Sequence, residues 1–453
     1  MNRLLLLFGL TLIFYGCSEE NISDKVKDET LRTWEAYEKY AWPNDNLLPL
    51  SGSSGNWYEN SIFMAPIDGY STLKLMGFDA KAERIEKFVQ DSLLFDKNID
   101  VKVFEVNIRI LGGLLCMYSY TGNPEILNKA EDFGNRLLKA FDSPTSLPYY
   151  YVNLKTGKTK GEVVNLAEAA SYAFEFGILS YYSKNPIYYQ TAKKAILKLN
   201  ELKSNLGLFG RDINVNTGEW VQTQSMVGAY ADSYFEYLYK SWLLFGDDEL
   251  KAIWDKNISA INTYLPVQEG QKLWYAKADM KTGELNGYDI TLWDAYFPAL
   301  QVLSGDVEKA KLNFNAWKSL TDKYVFPMWG YNFKKDSITN GYYQLNPEII
   351  ESAFYLYSKT KDEKYYNYAA AFFNNLQKYC RTDIAYAHIK DVRTMEKDDQ
   401  METFFIAETM KYFYLIFNED APLNIDEYVF STEAHPFRKS DFNKEKAQLY
   451  LGL

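Results

Sequence analysis

The chain has 453 residues, a formal net charge of -11 and 17% aromatic residues, among them 38 Tyr and 10 Trp. The acidic balance excludes a surface built for nucleic-acid phosphates, which needs a basic field, and fits a neutral or cationic partner or a metal site. The aromatic and apolar content excludes disorder, and two His with three Cys at no cluster spacing argue against zinc.

Residues 1–16 read as a secretory signal: Arg3, a short apolar run, then Gly16 before Cys17. The run is too short for a membrane span. Gly16-Cys17 resembles a bacterial lipoprotein processing site, with lipid on Cys17, and Ser18-Glu19-Glu20 resembles the surface-export signals of Bacteroidota lipoproteins. The expectation is a chain on the bacterial outer membrane, facing the cell surface, touching the membrane through its lipid anchor alone. Residues 17–25 would be the lipidated tether, leaving Cys116 and Cys380 as free thiols.

One domain is expected over 26–437, with a C-terminal extension at 438–453. Fourteen amphipathic spans follow in chain order, at about 26–41, 62–76, 79–91, 103–121, 124–141, 164–182, 187–204, 227–245, 247–263, 288–304, 306–323, 346–360, 362–380 and 399–417. Short turns such as Thr121-Gly122-Asn123-Pro124 and Gly246-Asp247-Asp248 join them into antiparallel pairs. Longer segments at 142–162, 205–226, 264–287, 324–345 and 381–398 separate the pairs, and Leu147–Asn153 within the first has the pattern of a short hairpin strand. Short turns on one rim and long loops on the other place function on the loop rim.

The repeat of two helices allows an open solenoid or a closed toroid. Acids favour closure around a site. Asp68, Glu105, Glu168, Asp232, Asp294, Glu348 and Glu402 each stand near the start of the first helix of a pair. The plain reading is helix capping against the dipole. It weakens for Glu105 and Asp232, which sit among apolar residues and are expected to be buried, and for Glu348, which follows Pro347. Converging acids with few bases suggest a cation site or a carboxylate pair for glycoside chemistry.

Five blocks carry a resemblance. They are Phe104–Leu115 (FEVNIRILGGLL), Ala231–Leu238 (ADSYFEYL), Asn346–Ser352 (NPEIIES), Met401–Thr409 (METFFIAET) and Phe430–Pro436 (FSTEAHP). In this order they resemble glycoside hydrolase family 47, the class I α-1,2-mannosidases. The segment 295–306 leans toward the ER-degradation-enhancing mannosidase-like branch.

The resemblance implies an all-α fold, an (α/α)7 toroid, and an inverting exo-α-mannosidase, α-1,2 in linkage, removing mannose from mannose-rich oligosaccharides or N-glycans. It implies Glu348 as general base and Glu105 or Asp232 as general acid. It implies Ca2+ on Thr432, with Glu351, Glu408 and Glu433, together with Glu168 and Glu402, binding the ion's waters. Arg109, Phe404, Glu408, Glu433, Asn346 and Tyr230 would contact the sugar. Two positions depart from the pattern: Asn346 replaces an arginine, and Tyr230 stands where the branches carry Arg or Leu. His435 reads as a structural histidine in a tight turn, and a monomer is expected. A catalytically weak, glycan-binding surface lipoprotein on the same toroid is the alternative.

Overall fold

The structure is a computed structural model that describes residues 21–453; the signal sequence and Cys17 lie outside the described residues. The chain forms helices α1 (Ile22–Tyr40), α2 (Met64–Leu75), α3 (Asp79–Asp91), α4 (103–121), α5 (Pro124–Leu137), α6 (166–183), α7 (Ile187–Leu202), α8 (Asp232–Phe245), α9 (Asp248–Tyr264), α10 (292–303), α11 (Val307–Tyr324), α12 (Glu348–Thr360), α13 (Glu363–Tyr379) and α14 (405–417). The even-numbered helices pack side by side into an inner ring, and α14 returns against α2 to close it. The odd-numbered helices form the outer ring. The arrangement is the expected (α/α)7 toroid.

Local chemistry sets the ends. Asn21 caps α1, so the helix starts at Ile22, inside the segment expected to be a tether. Asn123 caps α5 with Pro124 in its first turn, and Asp247 and Asp362 cap α9 and α13. Between the rings the filling is aromatic: Trp34, Tyr37, Tyr70, Tyr172, Tyr188, Tyr234 and Tyr355 are fully buried. Each such ring contributes roughly 1.5–3 kcal/mol by leaving water. No helix among the described residues is long and apolar enough to cross a membrane.

The long loops are more ordered than expected. Among the described residues there are eight small sheets, and six of them take strands from these loops. Four of these join one loop to the next, with register pairs Val101↔Val152, Val164↔Ile213, Ser225↔Ala278 and Ile290↔Tyr331. The expected strand at 147–153 is confined to Tyr151–Asn153. The expected helix starts at 227 and 288 are late by several residues, because Gln224–Ser225 and Asp289–Ile290 pair into this belt first. The C-terminal hairpin Tyr428–Phe430/Pro436–Arg438 carries the turn at 431–435 into the base of the ring. The segment after it packs on the toroid through Phe442, against Tyr181 and Tyr182, and through helix α15 (Lys444–Leu451).

The glycine pair in the α4 motif has a steric cause. A Cβ on Gly113 would stand 2.7 Å from the carbonyl oxygen of Ile67, so α4 and α2 meet backbone to backbone. Gly113→Ala should cost about 1–3 kcal/mol of stability by forcing the two inner helices apart, measured by urea denaturation.

Candidate active site

The N-terminal ends of the inner helices converge under the loop rim on a cavity of about 270 Å³. That is near the lower end of ligand pockets, about 300–1,000 Å³, and suits one sugar unit. Most of the residues expected in the site line it: Glu105 and Arg109 from α4, Asp232 from α8, Glu348 and Glu351 from α12, Glu408 from α14 and Phe404 just ahead of that helix. Asn346 and Tyr230 come from the loops, and Thr432 and Glu433 from the hairpin turn.

Arg109 is the buried cation at the centre. It lies in a π-helical turn, Asn107–Leu111, and Glu408 lies in a second, Phe405–Thr409. Such turns rotate side chains off the regular helical face and recur at functional sites. Nε and Nη2 of Arg109 donate to Oε2 of Glu105 at 3.2 and 3.1 Å, and Nη1 donates to Glu433. Nη1 also lies 3.6 Å from Asp68 Oδ2. The guanidinium stands 5.7 Å from the Phe404 ring centre, a cation–π contact. Glu105 is less buried than its apolar neighbours implied, with a quarter of its side chain exposed (25%), because α4 turns it toward the cavity mouth.

Thr432 anchors the floor. Its Oγ1 donates to Glu236 Oε1 at 3.0 Å and its N–H to the Tyr237 hydroxyl at 3.3 Å. Glu236 is paired in turn with buried Lys240. Its place in the site was not anticipated, although it stands one turn beyond Asp232 on α8, the spacing that puts two side chains on one face. Trp293, also in the wall, was not anticipated either. Two of the ring of acids act as caps: Glu168 accepts from the N–H of Asn165 at 3.2 Å, and Asp294 from that of Thr291 at 3.1 Å. Glu168 still reaches the cavity wall, whereas Glu402 stands outside it beside Asn46. His435 is buried in the hairpin turn, below the cavity, with its ring against Gly112.

Burial dominates the electrostatics. It pushes Asp232 up to about 8, with Glu236 and Asp294 adding to the rise. Burial likewise lifts Glu348 to about 8, although Asn346 Nδ2 donates to its Oε1 at 3.2 Å, and Glu351 and Asp232 add their repulsion. Glu351 rises to about 8 by burial, against the pull of Lys240. Glu408 and Glu433 are also raised well above the ordinary range by burial. At the rim, Tyr230 is half exposed and holds φ 80°, an unusual backbone for a non-glycine residue, with the Arg211 guanidinium 5.1 Å from its ring centre.

Comparison with known proteins follows the same lines. The chain is 35% identical over 437 residues to Alpha-mannosidase I MNS4 of Arabidopsis thaliana, covering 92% of this chain and 69% of that protein. It is 33% identical to human ER degradation-enhancing alpha-mannosidase-like protein 2, covering 91% of this chain and 77% of that protein. The solved structure of an alpha-1,2-mannosidase from Trichoderma reesei superposes with a TM-score of 0.84 at 26% identity, over 92% of this chain and 98% of that one. A carboxylate-lined cavity in a closed helix toroid is here the site of a glycoside hydrolase. The chain belongs to glycosyl hydrolase family 47, whose sequence profile matches residues 29–439.

A stability prediction follows from the buried acids. A carboxyl whose folded pKa is raised stabilises the fold below its unfolded pKa and loses that contribution as pH rises through the folded value. For Asp232, Glu348 and Glu351 the window runs from about 4 to about 8. The metal-free protein should therefore have a lower urea midpoint at about pH 8.5 than at about pH 6. Glu351→Gln should flatten that fall.

Proposed function

We propose that the chain is a calcium-dependent, inverting exo-α-1,2-mannosidase that removes terminal mannose from mannose-rich glycans. The observation that carries this reading is the meeting of Glu105, Asp232, Glu348 and Thr432, four residues from separate sequence blocks, around one cavity of single-sugar size in a family 47 toroid.

Glu348 is the general base. Asn346 holds its Oε1, and the carboxylate faces the cavity, where it can take a proton from an attacking water. The proton for the departing oxygen comes from the pair Glu105 and Asp232. Asp232, pushed up to about 8, can carry a proton near neutral pH, and Arg109 holds Glu105 in place; Glu348, raised to the same value, acts as base in its ionised fraction, which grows as pH rises toward 8. Inversion requires acid and base to stand roughly 6.5–9.5 Å apart, with room for the water. Phe404 offers its face to the sugar ring, and Tyr230 stands where the next sugar leaves the cavity.

The floor fits calcium by its chemistry. Its donors are all oxygens, as a hard cation prefers. Glu236, Glu351, Glu408 and Glu433 line it, outnumbering the nearby buried cations Arg109, Lys240 and Lys411. As the family resemblance implies, Thr432 would be the direct ligand, through its hydroxyl and carbonyl; it stands in the cavity lining among these carboxylates. The four carboxylates would then hold the ion's waters. Bound calcium would supply a fixed positive charge for the sugar hydroxyls.

We further propose that Cys17 is lipidated and holds the enzyme on the outer membrane, facing the cell surface. Cys17→Ala should move the protein from the membrane fraction to the soluble one; unchanged fractionation would count against the anchor.

Mannose release from α-1,2-mannobiose tests the activity. It should require calcium, stop on chelation and return when the ion is restored. Glu348→Gln should lower kcat at least about 10²-fold while mannan binding persists. Mannan binding by the wild type without any release would identify a glycan-binding protein instead, and chelator-insensitive release would remove Thr432 from its role.

A further inference from the structure

The cavity holds one sugar, so the rest of any oligosaccharide must lie on the rim. Trp293 lines the cavity wall, and from it a row of rings leads outward. The Trp293 and Trp329 ring centres are 5.5 Å apart at 49°, and those of Trp329 and Tyr342 are 5.5 Å apart at 78°. All three rings are partly exposed. They belong to one patch of the belt: Trp293 follows the strand Asp289–Ile290, Trp329 precedes Gly330–Asn332, and Tyr342 follows Ser337–Asn340, three strands of one sheet.

The rings are held by their polar edges. Trp329 Nε1 donates to Gln344 Oε1 at 2.9 Å. The Tyr342 hydroxyl donates to Asp398 Oδ2 at 2.7 Å and lies 3.0 Å from His388 Nδ1. The Trp329 N–H donates to the Tyr342 carbonyl at 2.9 Å, tying the two backbones together. Rings fixed in this way present a face without losing rotamer freedom on binding, which is the requirement for stacking on the apolar face of a pyranose. Trp293 and Trp329 pack one side against the apolar core and stay partly exposed on the other, Trp293 reaching the cavity, and Tyr342 lies outside that core.

We propose that Trp293, Trp329 and Tyr342 form a stacking track for the second and later sugars of an α-linked mannose oligosaccharide whose terminal sugar occupies the cavity. The proposal rests on the mannosidase reading for the identity of the sugar. The track makes the enzyme select extended glycans over disaccharides.

The test compares kcat/KM for a mannose-rich oligosaccharide with that for α-1,2-mannobiose. The wild type should favour the oligosaccharide. Trp329→Ala should cut that preference by about tenfold, through KM, and Trp329→Phe should retain most of it. Should Trp329→Ala fail to fold, Tyr342→Ala, at the outer end of the track, is read in the same way. An unchanged ratio in a folded variant overturns the track. If the wild type releases mannose from neither substrate, the hydrolase reading fails, and affinity electrophoresis through mannan decides the track separately. Retardation of the wild type that is lost in Trp329→Ala supports the track, while equal retardation, or none for the wild type, overturns it.

Discussion

Arg109 is the tie on which the site depends. One buried guanidinium binds Glu105 on its own helix and Glu433 on the C-terminal hairpin, and lies beside Asp68 on the neighbouring inner helix. It thereby joins the first inner helices to the last segment of the fold. A buried charge is tolerated only when paired and hydrogen-bonded, and a second buried cation, Lys411, stands near Asp68 and Glu433 with its Nζ donating to Ser71 Oγ and the Ala434 carbonyl. The Arg109 contacts place Glu105 at the mouth, seat Thr432 beside its partner Glu433, and set the guanidinium against Phe404.

The second constraint is the excess of acid. A toroid of helix pairs points the N-terminal ends of its inner helices at one axis, and their dipoles offset part of the negative charge gathered there. The remainder is carried by burial, which lifts Asp232, Glu348 and Glu351 to about 8 and keeps them near the point of proton exchange. Such coupled groups titrate as a set. A floor of oxygens short of positive charge and a wall of carboxyls poised near neutrality are two consequences of the same geometry, one suited to a cation and the other to acid–base chemistry.

Much of this was legible before the structure. Fourteen helical periods, the short capped turns between them and the acids at alternate helix starts determine the ring, because each signal is local. The lining residues were legible through motif blocks that fold next to one another. What escaped has physical causes. The belt strands are two to four residues long, too short for alternation to register, and besides local hairpins they include four pairings between one loop and the next. The π-turns that aim Arg109 and Glu408 inward have no propensity signature. Glu236 was hidden by its neighbour Asp232, and its partner Thr432 lies 196 residues further along the chain. Capping accounts for Glu168 and Asp294, so position alone did not separate structural from functional acids.

The central claim is that water, activated at Glu348, attacks the anomeric carbon from the face opposite the departing oxygen. The most direct measurement is proton NMR of the first turnovers on the methyl α-glycoside of α-1,2-mannobiose, which releases one free mannose, in the presence of calcium. The account predicts β-mannose as the initial product, followed by slow mutarotation to the α form. Initial release of α-mannose would contradict it, since retention needs a covalent intermediate and a closer carboxylate pair, roughly 5–5.5 Å apart.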